Sequence, residues 1–106
     1  MEGRLLKPVR ADFEIRSATR ADVPELLRLI RELAVYEKLE HMAVGTEAML
    51  AEALFGARPA AEAMIAQAGG RAVGFALFFT TFSTFLCRPG LYLEDLFVET
   101  AHRGAG

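Results

Sequence analysis

The stretch Leu91-Tyr92-Leu93-Glu94-Asp95-Leu96-Phe97-Val98, followed by Arg103-Gly104-Ala105-Gly106, decides how this chain is read. A short apolar run bounded by turn residues reads as a strand. A basic, glycine-rich turn directly after a strand is one way to build an anion cradle. Glycine lets the backbone come close to a phosphate, and successive N–H groups bind it, usually with a helix N-terminus behind them. The sequence stops at residue 106, so the cradle is expected in part only, without that helix.

Glu94 and Asp95 lie within the apolar run. Carboxylates buried there are costly unless paired or hydrogen-bonded. Neighbours on a strand point to opposite faces, so at most one of the two faces a given cleft unless a bulge re-aims them. The plainer reading, with the strand short and both acids exposed near its end, stays open beside the first.

Upstream, Gly69-Gly70 separates Ala63–Ala66 from Val73–Phe79 and predicts an antiparallel hairpin with a glycine turn. Val73–Phe79 is apolar on both faces, which predicts a central strand covered on both sides. The Phe-rich stretch Phe75–Phe85 reads as core, since no Lys or Arg interleaves with it as in a base-stacking surface. Thr80–Gly90 reads as a connection. Thr46 predicts the start of a helix that runs through Phe55, with Gly56 as its C-cap. Thr19-Arg20-Ala21-Asp22 has the form of a capping box, and Pro24 belongs in a first turn. Val23, Leu26, Leu27, Ile30, Leu33 and Ala34 then recur at helical spacing, with Arg28 and Glu32 as an i,i+4 pair on the opposite face. Phe13–Arg16 alternates as a half-buried strand. Residues 1–11 read as a loose leader and 12–106 as one domain.

The predicted order is therefore β-α-α-β-β-β in an α/β fold. Strands are expected near 12–17, 62–68, 71–80 and 91–98, with helices near 21–35 and 46–55.

With 53% apolar residues the chain can pack a core. A net charge of −2 offers no basic footprint for nucleic acid. The lone Cys87 fits a reducing compartment, no apolar run is long enough for a bilayer, and the first residues lack a signal-peptide core; a cytoplasmic location is the expectation. His41 and His102 have no Cys/His/Asp spacing around them that predicts a metal.

From Ile15 onward the sequence resembles the GNAT superfamily of acetyl-CoA-dependent N-acetyltransferases, and within it the diamine acetyltransferases that act on spermidine, spermine or thialysine. The resemblance is carried by Ile15-Arg16-x-Ala18-Thr19, by Leu26-Leu27-Arg28-Leu29-Ile30-x-Glu32-Leu33-Ala34-x-Tyr36-Glu37, by Val73-Gly74-Phe75-Ala76, and above all by Leu91–Val98 followed by Arg103-Gly104-x-Gly106. It implies a mixed sheet flanked by helices, of which this chain is the N-terminal part, the C-terminal half being absent.

The resemblance also implies roles. Arg103 and Gly106 match the first and fourth positions of the pyrophosphate motif, with Gly104 and Ala105 between them. The strand backbone at Leu96, Phe97 and Val98 matches the segment that binds the pantetheine arm and acetyl group. Tyr36, Glu37, Glu94 and Asp95 match substrate-binding positions, and Glu94 the route for the amine proton. An alkylamine with a pKa near ~10.4 arrives protonated, so a carboxylate is needed to attract it and accept its proton. Backbone N–H groups then stabilise the oxyanion. The implied reaction is acetyl transfer from acetyl-CoA to a small diamine, polyamine or lysine analogue, by a homodimer and without a metal. The alternatives are another amine as acceptor, or a non-catalytic fragment that only binds or associates; the 106-residue chain alone is expected to be inactive.

Overall fold

A computed structural model of the protein describes residues 13–103. The leader and the expected cradle residues Gly104, Ala105 and Gly106 lie outside the described residues. The elements run β1 (Phe13–Ser17), α1 (Val23–Tyr36), α2 (Glu47–Phe55), β2 (Glu62–Ala68), β3 (Arg71–Ser83) and β4 (Arg88–Val98). This is the expected order, and the described strands form one sheet in the order β1-β2-β3-β4. All three pairings are antiparallel.

Local chemistry accounts for the elements. A 3-10 turn, Arg20–Asp22, precedes α1. Asp22 Oδ2 accepts the Thr19 N–H at 2.6 Å and the Thr19 hydroxyl at 3.1 Å. Asp22 is also held at 2.7 Å by Arg16 of β1, which ties the helix entry to the sheet. Pro24 sits in the first turn, where no intrahelical N–H is needed. Thr46 caps α2 by accepting the Met49 N–H at 3.2 Å. Gly69 and Gly70 take φ of 60° and 80°, the signature of a primed hairpin turn that twists with its strands.

Leu26, Leu29 and Leu54 from the helices pack on Ile65, Phe75 and Phe97 from the sheet. Leu29, outside the expected apolar stripe, is fully buried. The other face of the sheet, at Ile15, Met64, Ala66, Ala76, Leu96 and Val98, borders a cavity of about 320 Å³.

Two expectations change here. The connection Thr80–Gly90 is shorter than predicted: β3 and β4 continue as a long hairpin, paired out to Ser83↔Arg88. Phe85 at its tip is 99% exposed and Phe82 is exposed as well, so the Phe-rich stretch is core only at its start. The hairpin outruns the helices, and its outer end has nothing to pack on among the described residues. For the same reason Leu91, Tyr92 and Leu93 of β4 are exposed, although the run reads as a buried strand.

Candidate functional site

The C-terminal end of α1 places the first pair of candidates. Leu39 N–H bonds the Ala34 carbonyl at 2.7 Å and Lys38 N–H the Val35 carbonyl at 3.0 Å. These two bonds make a Schellman end, and Lys38 takes the left-handed φ of 60° that the motif demands. Tyr36 is thereby the last helical residue and Glu37 the C-cap.

β4 places the second pair. Leu77 pairs with Asp95 but Phe78 with Leu93, so Glu94 is an extra residue without a cross-strand partner. Such a bulge bends the strand and re-aims side chains. Glu94 is exposed and Asp95 half-buried. Neither reading of this pair holds whole: β4 is not short, yet Glu94 within it is exposed and only Asp95 is partly buried. Burial pushes the Asp95 carboxyl above its ordinary pKa, and the charges of Glu94 and then Glu37 push it the same way. Glu37, Glu94 and Asp95 therefore make one negative field, and Asp95 belongs to it.

Tyr36, Phe97 and Arg103 make the neighbouring group. Phe97 is buried on the core side, with its ring centroid 6.4 Å from that of Tyr36. The Arg103 guanidinium lies over the Tyr36 ring at 4.6 Å and the Phe97 ring at 5.7 Å. Its Nε donates to the Val98 carbonyl at 2.8 Å. Leu96 is 68% exposed and Val98 half-buried. Because β4 is the last strand of the described sheet, one edge of its backbone lies open there for an added strand.

One cluster escaped the sequence reading. Arg28 and Glu32 do pair, but not as an isolated surface couple. Arg28 also donates to Glu25 at 2.9 Å, to the Ala72 carbonyl at 2.8 Å and to Glu99 at 2.7 Å. Arg71 reaches the other Glu99 oxygen at 2.7 Å. Arg71 and Arg28 hold the Glu99 carboxyl down at about 2, against the effect of burial. Glu32 moves the other way, raised by burial and by the nearby Glu99. No spacing rule links residues 28, 71 and 99; only the fold joins them. Beside the cluster, Leu27, Val35, Tyr36, Phe97 and Thr100 line a cavity of about 600 Å³. Among the described residues no group of three or more His, Cys, Asp or Glu is placed to hold a metal ion, and no helix is long and apolar enough to cross a membrane.

The four-stranded sheet with its two helices superposes on part of solved acetyltransferase structures, a likeness of fold. In sequence the chain is 38% identical over 101 residues to thialysine N-epsilon-acetyltransferase of Bos taurus, a match covering 87% of this chain and 58% of that protein. It is also 38% identical over 101 residues to the spermidine/spermine N(1)-acetyltransferase-like protein 1 of Homo sapiens, covering 89% of this chain and 14% of that one. An aminoglycoside acetyltransferase from an uncultured soil metagenomic sample superposes with a TM-score of 0.74 at 16% identity, covering 92% of this chain and 62% of its own, a likeness of fold alone. No family model matches the chain. The chain spans 58% to 61% of the length of the thialysine acetyltransferases it matches.

Proposed function

We propose that the protein to which this chain belongs transfers an acetyl group from acetyl-CoA to a primary amine of a small diamine, polyamine or lysine analogue. The observation that carries the reading is the juxtaposition of Glu37, Glu94 and Asp95 beside an open strand edge at Leu96–Val98. The names of its relatives, thialysine and spermidine/spermine acetyltransferases, support the substrate class.

The cosubstrate supplies an activated acyl group. The chain's own residues do the rest. Backbone groups at Leu96, Phe97 and Val98 receive the pantetheine arm as an added strand. Arg103, fixed by Tyr36 and the Val98 carbonyl, offers a cation towards the pyrophosphate. The three carboxylates attract the ammonium form of the amine. Glu94, exposed on the bulge, accepts its proton directly or through water. Asp95, with its raised pKa, is a better proton acceptor than an ordinary carboxylate and supports that transfer.

The test is release of free CoA thiol from acetyl-CoA with a panel of thialysine, ornithine, spermidine and simple diamines. Turnover with at least one of these is expected, lost on Glu94→Gln with acetyl-CoA affinity retained. Binding of acetyl-CoA without turnover on any amine would support a binding module instead.

A further inference from the structure

We infer that Glu99 is a positioning residue, the anchor that sets the strand end and the Arg103 turn for the cosubstrate. This rests on the acetyltransferase reading above and adds to it a residue that the resemblance does not point to.

Glu99 follows β4 directly, and its side chain is only 13% exposed. Its carboxylate joins two elements at once, Arg28 of α1 and Arg71 of β3, at 2.7 Å each. Arg28 is itself fastened to β3 through the Ala72 carbonyl. The Glu99 N–H donates to the Val73 carbonyl at 2.8 Å, and the Glu99 carbonyl accepts the His102 N–H at 2.9 Å. The turn that follows, Thr100–His102, is thus built on Glu99. It delivers Arg103 back to the Val98 carbonyl, the residue just before Glu99.

A strand end with one surface ion pair would be weakly held, since such pairs contribute little. A carboxylate shared between two guanidiniums, bidentate in reach and mostly shielded, is a different case. Here α1 carries both Arg28, which grips Glu99, and Tyr36, which grips Arg103. The turn between Val98 and Arg103 is therefore pinned to the same helix at both of its ends. Releasing Glu99 frees that turn, so Arg103 and the Leu96–Val98 backbone no longer share a fixed geometry. Affinity for an anionic, extended ligand then falls by the cost of re-ordering the segment on binding.

The experiment uses Glu99→Gln and Arg71→Met in the complete protein. Amide hydrogen exchange and acetyl-CoA affinity by calorimetry are measured side by side. Expected in both variants is exchange at residues 100–103 faster by about tenfold, with Ile65 and Phe75 within about twofold, and a Kd for acetyl-CoA raised by about tenfold. The KM for the amine should stay within about twofold. Arg71→Met combined with Glu99→Gln should be no worse than Glu99→Gln, because the Arg71 side chain bonds to Glu99 and the two act as a unit. Faster exchange with unchanged acetyl-CoA affinity overturns the positioning role and leaves a structural ion pair. If Glu99→Gln loosens Ile65 and Phe75 as well, Arg71→Met decides: it removes one partner only, and no local effect there overturns the proposal. Failure of the unaltered protein to bind acetyl-CoA overturns the acetyltransferase reading itself, an outcome distinct from equal binding by variant and parent.

Discussion

Arg103 lies over the ring of Tyr36 at 4.6 Å, and the same side chain closes on the Val98 carbonyl. A residue that the family resemblance matches to the cosubstrate site and one that it matches to the amine site are thus in direct contact. Cation–π contacts of this kind contribute about 0.5–2 kcal/mol, more when shielded from water. Tyr36→Leu should therefore lower stability by about 1 kcal/mol in urea denaturation and weaken acetyl-CoA binding. Tyr36→Phe keeps the ring and should restore both. Equal behaviour of the two variants would mean that the hydroxyl, not the ring face, holds Arg103.

Asp95 gives a prediction with opposite signs for stability and activity. Folding raises its pKa, so the folded protein holds this proton more tightly than the unfolded chain. Its contribution to stability is present at low pH and is lost as pH rises through the folded value. At neutral pH the charge is a cost, which Asp95→Asn removes. That variant should melt higher than the parent at pH 7 and no higher at pH 3. Its turnover should fall by about 10²-fold if proton transfer passes through this pair. A melting gain independent of pH would show that packing, not charge, is responsible.

Much of this arrangement is legible in the residues. The caps at Thr19, Asp22 and Thr46 and the turn at Gly69-Gly70 are short-range chemistry, and each falls where the local pattern puts it. Tyr36 and Glu37 could be placed at a helix end because the apolar stripe stops there. The bulge could not be placed: Leu93-Glu94-Asp95-Leu96 fits either register, and only pairing with Leu77 and Phe78 shows which acid is skipped. The exposure of Phe82 and Phe85 was hidden for a related reason. Composition says that a segment is apolar, not whether a helix is long enough to cover it. Nothing in the local sequence singles out Glu99, because its partners, Arg28 and Arg71, are remote in sequence.

Glu99 and Asp22 together set the acid limit of the fold. Both are held at about 2, below ordinary values of 4.5 and 3.8, chiefly by Arg71 and Arg16 respectively. Lowered carboxyl groups stabilise above their unfolded pKa, and that support is lost as pH falls through the folded value. The melting temperature should drop between about pH 5 and pH 2. The Glu99→Gln variant should start lower at pH 7 and lose less over that window. Parallel curves for variant and parent would rule Glu99 out as a contributor.

Lys38 occupies a left-handed position that Gly adopts at little steric cost. Relief of about 1–2 kcal/mol of strain, set against about 0.5–1 kcal/mol of added chain entropy, makes Lys38→Gly mildly stabilising. The gain should appear as a higher midpoint in urea with an unchanged slope. A loss of stability would mean that the Lys38 side chain contributes more than its backbone costs.

Gly74 offers the sharpest structural test, because it sits opposite Val98 at the end of the β3–β4 pairing. A Cβ built there would lie 2.7 Å from the Phe97 carbonyl oxygen and 3.1 Å from Val98 Cγ2. The first of these is backbone and cannot rotate away, so β4 itself must shift. Gly74→Ala should cost about 1–3 kcal/mol, the usual range for overpacking a fitted site. It should also weaken acetyl-CoA binding, since the displaced segment is Leu96–Val98. Gly45→Ala is the matched control: nothing lies within 4 Å of its Cβ, and stability should hold within about 0.5 kcal/mol. If Gly74→Ala melts with the parent and binds acetyl-CoA as well, the strand end is slacker than its contacts imply, and a role for fixed backbone geometry in binding falls with it.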